Sequence, residues 1–310
     1  MLNPPLSLLS EDLIGYLVEH VARLGLAFAN RALHNLSLTD PAFTEFCRKY
    51  IFRTLTLGAG GTSLGMLSTR LKNVKRILDD KPSFADRVRK IQLLIGCSQN
   101  AWVFQNPSSE DLRRKDAPYG VTFINILQLL ANSPMPPHEL YFEVGLYPIE
   151  DPILVVRQLS QSFFSHTLTI LHLTECNDLP LPLFLLCPRL KEVHLDGVQA
   201  GEESYDKYPD EQCSGREPPA LEFFDCSHSE TVIRQMITPP PRFHTPVVLW
   251  SKLRVLALTL NEGEELACLR PILDVACTTL EELYLIASLN MGSGRCRVFL
   301  YKLLKIRRVP

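Results

Sequence analysis

The chain has no excess of charge of either sign, no Cys-x-x-Cys pair and no apolar run long enough to span a bilayer, and each absence removes a class of function. Its 32 Lys and Arg stand against 34 Asp and Glu, a formal net charge of −2. The molecule as a whole therefore makes no electrostatic case for nucleic acid or an acidic membrane as partner. The nine cysteines are scattered. Cys226 and His228, with Cys213 upstream, form one incomplete set where a zinc site needs two pairs, so no metal or other cofactor is expected. Cys47, Cys187, Cys226 and Cys277 sit within apolar patterns and read as free buried thiols. Glu11 and Asp12 interrupt the only apolar stretch near the N-terminus, which is unlike a secretory leader. An intracellular place, cytoplasmic or nuclear, is expected.

What the chain does have is apolar content, 46% of residues, enough for a large core in one or two domains. Part of it is arranged as a hexapeptide that is apolar at its first, fourth and sixth positions. The clear copies are Leu168-x-x-Leu171-x-Leu173, Leu190-x-x-Val193-x-Leu195, Leu221-x-x-Phe224-x-Cys226, Leu253-x-x-Leu256-x-Leu258 and Leu280-x-x-Leu283-x-Leu285, with a weaker one at Val88-x-x-Ile91-x-Leu93. The last two apolar residues of each copy alternate with positions expected to be exposed, as in a short strand. Successive clear copies start 22, 31, 32 and 27 residues apart. A unit of that size cannot bury its own apolar edge, so stacked units in an irregular solenoid are expected.

The first fifty residues follow a helical period instead. Ser10 is placed to cap a helix with Glu11 and Asp12 in its first turn, and Leu13, Leu17 and Val21 fall on one face. A second helix is expected from about Ala27 to Leu36. Asp40 then caps a third, with Pro41 at its first position and Phe43, Phe46, Cys47, Tyr50 and Ile51 at helical spacing. A first strand follows at Leu55-Thr56-Leu57.

The segment Leu6-Ser-Leu8-Leu9-Ser-Glu-Asp-Leu13-x-x-Tyr16-Leu17, continued by Leu36-Ser-Leu38-Thr-Asp40-Pro-Ala-Phe43-x-x-Phe46-Cys47-x-x-Tyr50-Ile51-Phe52-x-x-Leu55, resembles an F-box of the divergent type common in fungal F-box proteins. Such proteins often carry leucine-rich repeats after it. The usual Leu-Pro at the start of the first helix is Leu9-Ser10 here. The resemblance implies an α/β chain made of a three-helix F-box-like segment (1–57), a Gly-rich loop with a connecting helix (58–87) and an irregular leucine-rich-repeat solenoid (88–310) with surface insertions near 196–219 and 238–247. It also implies a function without chemistry of its own, as substrate-recognition adaptor of a Skp–cullin–F-box type ubiquitin ligase. Leu6, Leu8, Leu9, Leu13, Leu17, Leu36 and Leu38 would meet the Skp-type adaptor of a cullin–RING ubiquitin ligase, and the repeats would hold an unknown target protein. The alternative is a leucine-rich-repeat interaction scaffold without a ligase.

Within the repeats, the side chains between inward leucines are the target-binding candidates: His172, Glu192, His194, Phe223, Asp225, Glu282 and Tyr284. Their acidic and aromatic mixture suits a protein partner better than a phosphate-rich one. One pattern points elsewhere. Gly61-Thr62-Ser63-Leu64-Gly65 matches the G-x-S-x-G elbow of serine hydrolases, but three helices precede it in place of a sheet with an oxyanion loop. A serine hydrolase using Ser63 is the remaining alternative. The last residues, from Arg295, carry six basic side chains and no acidic one, and read as an amphipathic capping helix.

Overall fold

In the computed structural model, residues 9–22, 26–58, 64–95, 118–144, 165–177, 179–200, 216–238, 246–260, 264–287 and 300–305 are described. Three helices open the chain: α1 (Glu11–Ala22), α2 (Leu26–Thr39) and α3 (Pro41–Ile51). The caps are those the sequence predicts. Leu13 N–H donates to Ser10 Oγ at 3.3 Å, and Ala42 N–H donates to Asp40 Oδ1 at 2.8 Å. Ile14, Val18, Leu33, Phe43 and Cys47 close a small core of their own, with Leu9, Val21, Leu36, Phe46, Tyr50 and Ile51 packed against it. Helix α1 thus turns inward the stripe of Ile14 and Val18. Gly15 lies beside the Phe46 ring of α3, where an added methyl group would sit at 3.5 Å, in ordinary van der Waals contact.

The rest of the described chain builds one sheet of nine strands lying in sequence order: β1 (Thr54–Gly58), β2 (Lys90–Ile95), β3 (Glu139–Val144), β4 (Ile170–Thr174), β5 (Glu192–Asp196), β6 (Phe223–Ser227), β7 (Val255–Leu260), β8 (Glu282–Ala287) and β9 (Leu300–Lys305). The first eight are parallel, and β9 closes the order antiparallel to β8. Among the described connecting segments are the helices α4 (Leu64–Asp80), α5 (Pro118–Ala131), α6 (Glu230–Ile237) and α7 (Glu264–Ala276), and two 3-10 turns at Pro82–Arg87 and Leu181–Leu186.

This corrects the expected leucine-rich-repeat solenoid of 88–310. Among the described residues the chain forms one α/β sheet that begins at β1, inside the segment assigned to the helical domain, and its described connections are unlike one another. The physical reason is that the hexapeptide reports a buried strand and the turn leading into it. It carries no information about the length or type of the connection that follows. Its three apolar positions do reach the core, as Leu168, Leu171 and Leu173 or Leu221, Phe224 and Cys226 show.

Register places two apolar rows inward, Leu55-Ile91-Leu140-Leu171-Val193-Phe224-Leu256-Leu283 and Leu57-Leu93-Phe142-Leu173-Leu195-Cys226-Leu258-Leu285. The buried side chains of α4 to α7 all join the same core. At the entry edge, each strand is tied to the next by a shared carbonyl. Thr169 O accepts from Lys191 N–H and Glu192 N–H at 2.9 and 3.0 Å, and Glu222 O accepts from Arg254 and Val255 at 2.8 and 3.1 Å. Ion pairs Lys191–Glu222 at 2.7 Å and Arg254–Glu281 at 2.9 Å run along that edge. At the exit edge, Glu175, Gly197 and His228, which directly follow β4, β5 and β6, have φ of 53°, 65° and 51°. The chain therefore leaves three neighbouring strands by the same left-handed turn.

Three smaller expectations change as well. The C-terminal segment is the strand β9 over Leu300–Lys305 and not a capping helix. An antiparallel return needs no crossover to cover the last parallel strand. Cys277 is exposed, whereas Cys47, Cys176, Cys187 and Cys226 are buried thiols. Burial pushes the Cys187 thiol up to about 12, so it stays protonated and unreactive at neutral pH. The insertions near 196–219 and 238–247 lie largely outside the described residues.

Candidate functional site

Two surfaces carry the site residues expected from sequence. The first is on the N-terminal helices. Leu13 is 43% exposed, Leu17 39% and Leu38 74%, and Tyr16, which the sequence reading did not single out, is 66% exposed. Tyr16 stacks on His20 with centroids 6.4 Å apart. Leu9 and Leu36 are half-buried against the helical core, so they support this surface more than they form it. Leu6 and Leu8 lie outside the described residues. Exposed leucines and a tyrosine on helices with a separate apolar core behind them are what a protein contact of the helix-in-groove kind needs.

The second surface is the sheet face opposite the apolar rows. Alternation sends to it the row Thr56-Gln92-Tyr141-His172-His194-Asp225-Ala257-Tyr284, flanked by Lys90-Glu139-Ile170-Glu192-Phe223-Val255-Glu282 toward the strand entries and by Glu143-Thr174-Asp196-Ser227-Thr259 toward the exits. All seven target-binding candidates fall here, each half-buried. Parallel pairing brings His172 and His194 onto adjacent strands, where their rings stack with centroids 4.0 Å apart and 8° between planes. Tyr141 adjoins His172 at 5.9 Å, and Phe223 adjoins His194 at 4.7 Å. The result is an unbroken run of four rings across β3 to β6.

Carboxylates edge this run. His172 Nε2 lies 3.4 Å from Glu139 Oε1, His194 Nδ1 lies 3.4 Å from Asp225 Oδ2, and the Tyr141 hydroxyl donates to Glu143 at 2.9 Å. Lys90 forms an ion pair with Glu139 and lies 5.5 Å from the Tyr141 ring centroid. Tyr284 donates to Glu282 within β8. Burial by itself would raise the Glu139 carboxyl. The hydrogen bonds from His172 and Lys90 outweigh it and hold the group at about 2. Burial raises the Tyr141 hydroxyl.

A carboxyl held below its ordinary 4.5 makes folding depend on acid. In the unfolded chain Glu139 takes up its proton near 4.5 and in the folded protein only near 2, so its contribution is complete above pH 5 and is lost as pH falls through that window. With solvent screening of a side chain 18% exposed, we expect about 1–2 kcal/mol. Urea titrations at pH 7, 5 and 3 check this. The parent should lose that much more stability between pH 5 and 3 than Glu139→Gln does.

Sequence reasoning missed Lys90, Glu139, Tyr141 and Glu143. The pattern Pro137-x-x-Leu140-x-Phe142 was the available signal for β3, with a buried proline in the first apolar position. Ser63 lies outside the described residues. The described partners of His172 and His194 are carboxylates and rings, not a hydroxyl or a thiol. Among the described residues, no group of three or more His, Cys, Asp or Glu is placed to hold a metal ion. No described helix is long and apolar enough to cross a membrane. In sequence, the chain matches no protein-family model and no curated protein.

Proposed function

We propose that the chain is a non-enzymatic adaptor for ubiquitin ligation, with helices α1 to α3 docking on a Skp-type adaptor of a cullin–RING ligase and the open sheet face holding a target protein. The observation that carries the reading is the pairing of two separate cores with two separate surfaces. The helices close their own core and still leave Leu13, Tyr16, Leu17 and Leu38 exposed. Ile14 and Val18 are the residues of α1 buried in the helical core, and the exposed Leu13 and Leu17 on the same helix suit an apolar partner contact.

The sheet offers the complementary half. Its inward rows and the helices that cover them make the core, while the outward rows hold a half-buried, polar and aromatic surface on parallel strands. Surfaces of that composition bind protein through a few ring anchors with polar groups around them. No nucleophile is needed, because transfer chemistry belongs to other subunits of such a ligase. Co-purification of the full chain with a Skp-type adaptor tests the reading. Retention supports it. A folded chain that recovers no adaptor would instead be an interaction scaffold that uses its sheet face alone.

A further inference from the structure

Charge on the open sheet face is far from balanced, although the whole chain is nearly neutral. The three outward rows of β2 to β9 carry six carboxylates, Glu139, Glu143, Glu192, Asp196, Asp225 and Glu282, against two lysines, Lys90 and Lys305, the latter in register with Glu282. Lys90 is already paired with Glu139. At the strand entries, Lys191 and Arg254 are engaged by Glu222 and Glu281. Between the remaining carboxylates runs the ring array of Tyr141, His172, His194 and Phe223.

From this we infer that the open face takes an extended, arginine-rich segment of a partner protein. The inference rests on the reading of this face as the target-binding surface and specifies the target's chemistry. Two features select arginine. A guanidinium lies flat on aromatic and imidazole rings and also bonds a carboxylate through two parallel N–H groups, whereas an ammonium is a strongly hydrated point charge. Here rings and carboxylates alternate within one side-chain length: the His194 ring stacks on His172 on one side and its Nδ1 lies 3.4 Å from Asp225 on the other. Strands spaced about 4.8 Å apart put β3 and β8 roughly 24 Å from each other, the span of about seven extended residues. The same field repels phosphate backbones and anionic lipid headgroups.

The test is fluorescence anisotropy with the full chain and labelled nine-residue peptides alternating glycine with arginine, lysine or glutamate. The arginine peptide should bind, the lysine peptide several-fold more weakly and the glutamate peptide not at all. Glu192→Lys combined with Asp225→Lys should weaken arginine-peptide binding at least tenfold, and Asp225→Asn alone should weaken it measurably. Asp274→Lys on α7, whose side chain is 72% exposed, should leave it unchanged. Equal binding of arginine and glutamate peptides, or equal weakening by Asp274→Lys, would overturn the inference. Adaptor binding, measured on the same preparations, reports separately on the N-terminal helices: its absence beside intact peptide binding counts against the ligase assignment alone.

Discussion

Cutting Phe224 back to alanine should cost the fold about 3–5 kcal/mol, the range for a fully buried ring whose site cannot collapse. Phe224 is 0% exposed in β6, opposite Val193 and Leu256 in the neighbouring strands, and packs edge-on against Trp250 at 5.1 Å and 81°. The surrounding row cannot close the gap. Its spacing is fixed by the hydrogen-bonded ladder on both sides, and β7 is pinned by Glu222 O accepting from Arg254 and Val255. Phe224→Leu, which keeps most of the volume, should cost less than about 1.5 kcal/mol. Urea denaturation followed by circular dichroism separates the two. A loss below about 1 kcal/mol for the alanine variant would mean that this row is not the packed centre of the sheet.

Leu13→Asp combined with Leu17→Asp should have the opposite profile, a large loss of binding with little loss of stability. Both side chains are exposed, at 43% and 39%, while Ile14 and Val18 keep α1 on the helical core. Surface changes of this kind alter folding by about 0.5 kcal/mol or less. If the exposed stripe is the adaptor contact, two buried carboxylates replace two apolar anchors, and affinity should fall at least about 100-fold, near 2.7 kcal/mol. Calorimetric titration of parent and variant with a purified Skp-type adaptor measures the loss, and thermal melts check the fold. A variant that binds as tightly as the parent would exclude this stripe as the contact.

Much of the local structure was legible because it is written in short range. Ser10 before Glu11-Asp12 and Asp40 before Pro41 mark helix starts through groups within three residues of each other. The hexapeptides mark strands because alternation needs only neighbours. A copy opening on Pro137 belongs to the same set, yet an imino acid in the first position hid β3 from a search for leucine, whereas β1 was legible at Leu55-Thr56-Leu57. The architecture was not legible in the same way. Connections as different as α4 and the turn at Leu181–Leu186 link strands marked by one pattern, so the hexapeptide could not distinguish a uniform repeat from one α/β sheet.

The site was half legible. His172, His194, Phe223 and Asp225 follow from alternation alone, but the ring stack does not. It depends on register between strands 22 and 31 residues apart in the chain, which the backbone ladder sets. Glu139 and Tyr141 needed β3 to be found first. In α1, periodicity allowed either the Leu13-Leu17 stripe or the Ile14-Val18 stripe to face inward. The packing of Ile14 and Val18 with Leu33, Phe43 and Cys47 decides it. The stripe left exposed, Leu13 and Leu17, is the surface on which the functional reading depends.

Hydrogen exchange of the full chain, with and without a Skp-type adaptor, tests that account most directly. It predicts added protection confined to α1 and the C-terminal half of α2, around Tyr16, Leu17 and Leu38, with the strands β3 to β8 unchanged. Unchanged exchange in α1 and α2 at saturating adaptor, or protection that falls on the sheet instead, would contradict it.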